Sequence, residues 1–587
     1  MDIQEIKETP IWALYEKGRN FHELTNIYEE TDKNFRFYNG DQWGGAKLGD
    51  IEPVQKNFIH PIVKYKVSVV HDNLYAINYS SQNFDSPEFQ TEAERYCKIL
   101  NDYAAKIWEA DKMDFKGRRI TKRAAINSEG ILYVDFDEKT KMPKNEIVKK
   151  TDIYYGNEND DDIQAQPYIL IRKRMPVANA IEYALSEGMS EDKTDLIIGD
   201  NDTSSKSGDA AKQEIDDMVT IVYKLYRKDG TVHFSCATRY ADICTDRNTG
   251  LTLYPVAHFC WEEKEGSARG EGEVKHLIPN QIEVNKTEAR RVLTVKYQSY
   301  PQKVVDGTKI RNTAALNTVG AIIKTEGQGV DDVRKAVSVL PPAQMSPDVV
   351  KLQEDLISVS RDLAGAGDTA TGQADPNSAS GRAVLAVQQA SRAPLTEQKE
   401  GYKNFVEDVG RIWLEYLIAY SDGGIPMEER TDDGKGGQGV HMVNIHADTL
   451  RALRASVRID ITPRSVYDKI AQEQTLENLL LRGLFGANRI AELEVWASTL
   501  DDDSVAPKRK ILDAIGHAKN EQVKIAKIQA QGRQMQQKAL QFIGQGPDAQ
   551  ARGLANAKIK QKLAAALRAK KAEAATKPED GTNPDDN

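Results

Sequence analysis

Residues 346–420 read as a helix, a loop and a second, far longer helix, and that succession limits the folds open to the chain. Ser346-Pro347-Asp348 is a helix start, and Leu352, Leu356, Val359 and Leu363 then recur on one face. Gly365-Ala366-Gly367 is a helix exit, because glycine tolerates the left-handed backbone such an exit needs. A loop rich in Gly, Asp, Thr, Pro and Asn covers residues 368–377. Ser378 or Ser380 caps the next helix, which is expected to run unbroken to about Tyr420. At about 1.5 Å per residue it spans roughly 60 Å, with a kink expected at Pro394. An ordinary globular helix has about 12 residues, so something other than a compact core sets this length.

At 587 residues the chain exceeds a single core and is expected to form several substructures. No run of 18 or more apolar residues appears, and the acidic start Met1-Asp2-Ile3-Gln4-Glu5 lacks a signal peptide's basic and apolar segments. A soluble product made in a cytoplasm is expected, with no membrane partner. Cys97, Cys236, Cys244 and Cys260 form no Cys-x-x-Cys pair, which argues against zinc and against a disulfide framework. The net charge of −10 is uneven: residues 511–575 hold 12 Lys/Arg against 4 Asp/Glu, a balance of +8, leaving −18 elsewhere. Such a body does not read as one that grips nucleic acid through its phosphates.

Residues 11–38 read as helical and end at Tyr38-Asn39-Gly40-Asp41-Gln42-Trp43, a turn with aromatic anchors. Residues 58–77 and 88–130 are mostly helical in pattern. Strands are expected at 131–136, 168–171, 220–226, 232–234 and 457–461. The polar segments 156–162 and 199–212 are expected to be mobile. A helix from about 272 to 300, interrupted at Pro279, carries Val274, Leu277, Ile278, Ile282, Ala289, Val292 and Leu293. Residues 301–345 form short strands and turns (303–305, 321–324 and 337–340), a module too small for a core of its own. Helices are expected at 465–482, 487–498, 507–542 and 549–572, followed by an acidic, disordered tail at 576–587.

The order of elements resembles that of tailed-bacteriophage portal proteins, the head-to-tail connectors. Three local motifs carry the resemblance over roughly residues 35–420. Tyr38-Asn39-Gly40-Asp41-Gln42-Trp43 followed by Asn57-Phe58-Ile59 looks like the N-terminal motif of many portals. Gly270-Glu271-Gly272-Glu273-Val274, then Leu277-Ile278-Pro279-Asn280-Gln281 and Asn285, resembles the start of their first stem helix. Ser378-Ala379-Ser380-Gly381-Arg382-Ala383 with Gln388 and Gln389 looks like the start of their kinked wing helix. The resemblance implies an α+β, predominantly helical subunit that assembles with identical copies into a ring, usually of twelve subunits.

Carried over, 1–265 becomes an α+β wing, 266–300 the first stem helix, 301–345 a β-rich clip and 346–364 the second stem helix. Residues 365–377 become the tunnel loop, 378–462 the kinked wing helix with a return strand, and 463–587 the crown and C-terminal helices with their tail. The implied function is a channel at one capsid vertex, in a virion assembled in the host bacterial cytoplasm. Double-stranded DNA is packaged and ejected through it. The implied partners are the terminase large subunit, head-completion or adaptor proteins and the major capsid protein. No enzyme activity and no cofactor are implied.

The candidate residues follow from that map. Asp368, Thr369, Thr371, Gln373, Asp375 and Asn377 would line the DNA channel, and Lys296, Lys303, Arg311 and Lys324 would project from stem or clip. Lys558, Lys560 and Lys562 would face packaged DNA or neighbouring chains. Arg382 would pair with acidic groups of the loop or of a neighbour, and Trp43, Trp108, Trp261 and Trp413 would anchor core or interfaces. Rival readings are weaker. Gly367–Gly372 has P-loop glycine spacing, but Gln373-Ala374 stand where Lys and Ser/Thr are required. Gly365-x-Gly367-x-x-Ala370 follows a helix, whereas a dinucleotide fingerprint follows a strand. His441 and His446 lack a companion ligand, and Asp200-Asn201-Asp202-x-Ser204 lacks the glycine and terminal Glu of a calcium loop. The alternatives are therefore a helical scaffold or adaptor without a pore, or an enzyme with an unrecognised site.

Overall fold

The computed structural model describes residues 7–463, apart from 45, 47–51, 82–85, 201–216, 300–301, 311, 319, 321, 323, 325–335, 341–344, 368–391, 433–437 and 454, with scattered positions beyond. The chain divides into two units, residues 1–464 and 465–587. Of the second, short helical pieces at 496–497, 514–516 and 530–534 are described. The first mixes helices and strands, the α+β class expected.

It opens with α1 (Pro10–Leu24) and α2 (Ile27–Asn39). These are two helices where the sequence suggested one, because Asn26 takes a left-handed conformation between them. Next come α3 (Ile59–Val70), β1 (Asn73–Ser80), α4 (Pro87–Ala110) and α5 (Met113–Asn127). The helical reading of 58–77 fails over β1. Tyr75, Ile77 and Tyr79 alternate inward there, and the strand pairs antiparallel with β14 (Ser456–Pro463) in a register running from Asn73↔Pro463 to Ser80↔Ser456. A pairing so distant in sequence leaves no local trace except that alternation.

Strands β2 (Glu129–Asp137) and β3 (Met142–Val148) join β9 (Val256–Cys260) in a three-stranded sheet ordered β3-β2-β9. Strands β4 (Ile153–Tyr155), β5 (Tyr168–Pro176), β6 (Met218–Lys228), β7 (Thr231–Ala237) and β8 (Asp242–Asn248) form a five-stranded antiparallel meander, with α6 (Val177–Ser186) after β5. Both sheets contribute to one large apolar core, which Trp261, Trp413, Tyr402 and Phe405 fill.

Helix α7 (Glu273–Ser299) runs continuously through Pro279, so the expected interruption is absent. Pro279 is exposed, where the lost amide donor costs least. The short strands β10 (Lys303–Val305) and β11 (Val337–Val339) pair antiparallel before α8 (Pro347–Leu363). At its start Ser346 Oγ accepts from the Asp348 amide. At its end the Ala366 amide reaches Arg361 O at 2.8 Å and the Gly365 amide reaches Asp362 O at 2.9 Å, with Gly365 left-handed. That is the helix exit read from the sequence. Of the long helix expected over 378–420, residues 378–391 lie outside the described ones, and the remainder gives a 3₁₀ turn (Ala393–Leu395) containing Pro394 followed by α9 (Thr396–Tyr420). Then come β12 (Ile425–Asp432), β13 (Gln438–Ile445), α10 (Ala447–Leu453) and β14. The expected strand at 321–324 is not formed at its described positions, 322 and 324.

Candidate functional site

Helices α7 and α8 lie antiparallel, joined by polar contacts. Asn280 Nδ2 donates to Ser360 Oγ at 2.9 Å, and Gln353 Nε2 donates to Glu288 Oε2 at 2.7 Å. The two residues that α8 buries, Gln353 and Ser360, are thus both polar. Its apolar stripe points elsewhere: Leu352, Val359 and Leu363 are 55%, 52% and 82% exposed, and Leu356 is half-buried. Val295 and Tyr297 near the end of α7 are exposed as well. A helix normally turns its apolar face to the core. Here one chain leaves that face uncovered.

The opposite end of α7 is closed in depth. Gln281 and Asn285, one turn apart, face the segment that enters α3. The Phe58 amide donates to Gln281 Oε1 at 3.0 Å, and Gln281 Nε2 donates to Lys56 O at 2.8 Å. The Lys56 amide donates to Asn285 Oδ1 at 3.2 Å, and Asn285 Nδ2 donates to Gln42 Oε1 at 2.5 Å. Gln42 Nε2 in turn reaches Phe37 O, and Asn57 Nδ2 reaches Tyr38 O. Three motifs far apart in sequence, at 38–43, 57–59 and 277–285, therefore form one amide network. A side-chain amide can satisfy a backbone donor and acceptor together, which explains Gln and Asn there.

The residues just before α7 hold a buried ionic cluster. Arg269 Nε donates to Glu158 Oε2 at 2.8 Å, its Nη1 to Glu129 Oε1 at 2.7 Å, and its Nη2 to Ile153 O and His22 Nε2, both at 2.9 Å. The guanidinium also lies over the Tyr155 ring. Glu129 Oε2 pairs with His258 Nε2 at 2.9 Å. Burial alone would raise the Glu129 and Glu158 carboxyls, but Arg269, helped by His258 or His22, outweighs it and holds each at about 2. Burial, reinforced by Arg269, pushes His22 down to about 4, so the ring stays neutral and accepts. Burial would also lower His258, yet the Cys260 thiol and the Glu129 carboxylate raise it to about 10. Tight backbone approaches directly after Arg269 fix its position. A Cβ on Gly270 would lie 2.2 Å from Glu262 O, and one on Gly272 2.7 Å from the Ser128 amide nitrogen.

The residues expected to act fall as follows. Lys296 pairs with Glu52 at 2.7 Å on the surface. The ammonium of Lys303 donates to Leu316 O, and Lys324 is exposed with its amide on Asn312 Oδ1. Arg311, Arg382, Asp368, Thr369, Thr371, Gln373, Asp375, Asn377, Lys558, Lys560 and Lys562 lie outside the described residues. Asp200 accepts from Arg174 Nη1 at 2.5 Å and from the Thr220 amide at 2.7 Å, so its carboxylate is engaged in holding β5 to β6. His441 and His446 are exposed. Trp261 and Trp413 are core residues, and Trp413 Nε1 donates to Asn145 Oδ1.

Segment 156–162, expected to be mobile, is instead tightly held. Gln166 bridges the Asn157 amide, Asn157 O and Asp160 O, and the Ala268 amide donates to Glu158 O. Sequence reasoning missed this because the segment's partners, Gln166 and Arg269, are polar and one of them is distant. The remaining signal was a lone Arg directly before Gly270-Glu271-Gly272.

Among the described residues no group of His, Cys, Asp and Glu could hold a metal ion, and no helix is long and apolar enough to cross a membrane. No curated protein matches the chain. The model of one family does, over residues 171–575, which takes in the ionic cluster's Arg269, all of α7, the β10–β11 pair, α8 and α9. That span exceeds half of the chain and contains the motif at 277–285, while those at 38–43 and 57–59 lie before it: the chain belongs to the phage P22-like portal protein family.

Proposed function

We propose that identical copies of this chain close into a ring of about twelve subunits around a channel for double-stranded DNA at one vertex of a phage head. In this reading 1–265 is the wing, α7 and α8 are the stem helices, and 301–345 is the clip. The clip meets the terminase large subunit during packaging and head-completion proteins afterwards. The loop 365–377 faces the duplex, 378–462 carries the wing helix and return strand, and 463–587 forms the crown and its tail. The outer surface meets the major capsid protein, and the protein's role is structural rather than catalytic.

The observation that carries this reading is the uncovered stripe Leu352, Val359 and Leu363 on a helix whose inward side is polar. A heterologous contact between copies buries such a stripe, and repetition about an axis closes it. An acidic body suits passage, because it repels phosphate and prevents adhesion. Negative-stain microscopy of the purified protein tests the reading: annular particles with a central hole are expected, and single polypeptides at high concentration would refute it. Charge reversal at Lys558, Lys560 and Lys562 is expected to impair DNA retention or assembly, and unchanged packaging would remove them from the account.

A further inference from the structure

Helix α5 separates its cations into two sets. Those turned toward the body are satisfied: Lys116 pairs with Asp111 and donates to Asn145 O, and Arg123 Nη1 donates to Val148 O. Those turned outward are not. Arg118, Arg119 and Lys122 are exposed and make no ion pair among the described residues. The ring contacts of Arg119 and Lys122 are with aromatic side chains. Arg119 lies over Phe115 at 5.8 Å, Lys122 lies over Tyr38 at 4.8 Å, and Tyr38 is stacked on His60. Phe115 itself is 62% exposed. The nearest acid along the helix, Asp114, accepts from Trp108 Nε1 at 3.3 Å.

Positions 115, 118, 119 and 122 share one helical face. Like charges one turn apart repel, and Arg119 also depresses the half-buried Arg123 guanidinium, after burial, the larger cause. A cationic, aromatic-bordered face therefore persists on a chain of net charge −10, at a cost that an anionic partner would relieve. We propose that this face of α5 binds the phosphate backbone of duplex DNA, apart from any contact made by the loop 365–377. The choice of duplex over another polyanion rests on the portal reading. Two adjacent arginines present the forked donors that suit phosphate oxygens, and their contacts fix no base sequence.

The test uses the full chain and a fluorescein-labelled duplex of about 30 base pairs, followed by anisotropy across a NaCl series. The variants are R118E/R119E/K122E and the milder R118Q/R119Q/K122Q, each checked by thermal melt, with K558E/K560E/K562E in parallel. About tenfold weaker binding is expected for the first, with the log K against log [salt] slope shallower by about 2 to 3. The glutamine variant should fall between, and the effect should persist in the C-terminal variant's background. Unchanged affinity and slope would overturn the proposal. So would loss of rings with duplex binding intact, which marks the face as a contact between copies. Retained duplex binding with lost capture of a synthetic peptide of residues 576–587 would overturn it too, by marking an acidic-protein site. Rings are scored separately by microscopy. Ring-less protein that still binds duplex through α5 would sink the portal reading and leave this one standing.

Discussion

The start of α7 and the outer face of α8 belong to one hairpin, yet they are built on opposite terms. The side chains of Arg269, Gln281 and Asn285 lie deep in the chain and are bonded to other side chains or to backbone. Along α8 polar groups are again turned inward, but the apolar stripe is left facing outward. The first region finds the partners of these three side chains within a single polypeptide. The second leaves Leu352, Val359 and Leu363 exposed in the single chain, and on the proposed reading a neighbouring copy covers them. On the proposed ring, stability and assembly would reside in different stretches of the same hairpin, and each could be broken alone.

The largest expected effect is at the buried cluster. Arg269→Met leaves the buried Glu158 without its guanidinium and Glu129 with His258 as its remaining close cation, a loss of about 3–5 kcal/mol that a denaturant titration should resolve. A loss below about 1 kcal/mol would show the cluster to be incidental.

Acidity probes the same region without mutation. Below about pH 4.5 the unfolded carboxylates take up protons that Glu129 and Glu158, held at about 2, refuse in the folded state, so stability falls between those values. His22, at about 4 against 6.5, adds a loss as pH drops through that interval, because the unfolded ring is protonated first. His258 acts in the opposite sense. Its folded state keeps a proton between pH 6.5 and about 10, so its contribution is lost as pH rises there. A melting temperature that declines on both sides of neutrality is expected, and a flat alkaline side would remove the His258–Glu129 pair from the account.

Gln281→Leu should cost about 1–3 kcal/mol, because the Phe58 amide and Lys56 carbonyl lose their partner. At the other extreme, Lys296→Ala removes a pair whose members are both about half exposed, and should change stability by less than about 0.5 kcal/mol. Equal losses in the two variants would erase the distinction between the buried root and the exposed end of α7.

Much of this hairpin was legible in advance. Ser346, Pro347 and Gly365 are local signals, and they mark the ends of α8 because capping depends on a few consecutive residues. The motifs at 38–43, 57–59 and 277–285 were visible as separate strings. Their union was not, since it depends on a fold that brings Gln42, Lys56 and Gln281 together. Strand β1 was hidden because its partner lies at the far end of the first unit, and segment 156–162 because its order derives from Gln166 and Arg269 rather than from its own composition. The loop residues 368–377 and the lysines at 558–562 lie outside the described residues, so the structure offers no contacts against which their proposed roles can be read.

The most direct test compares wild-type protein with L352D/V359D by mass photometry and negative-stain microscopy. Both side chains are more than half exposed in the single chain, so the subunit should keep its melting behaviour while annular particles disappear in favour of single chains. Rings that form undiminished with two carboxylates on that stripe would contradict the claim that copies of the chain cover it.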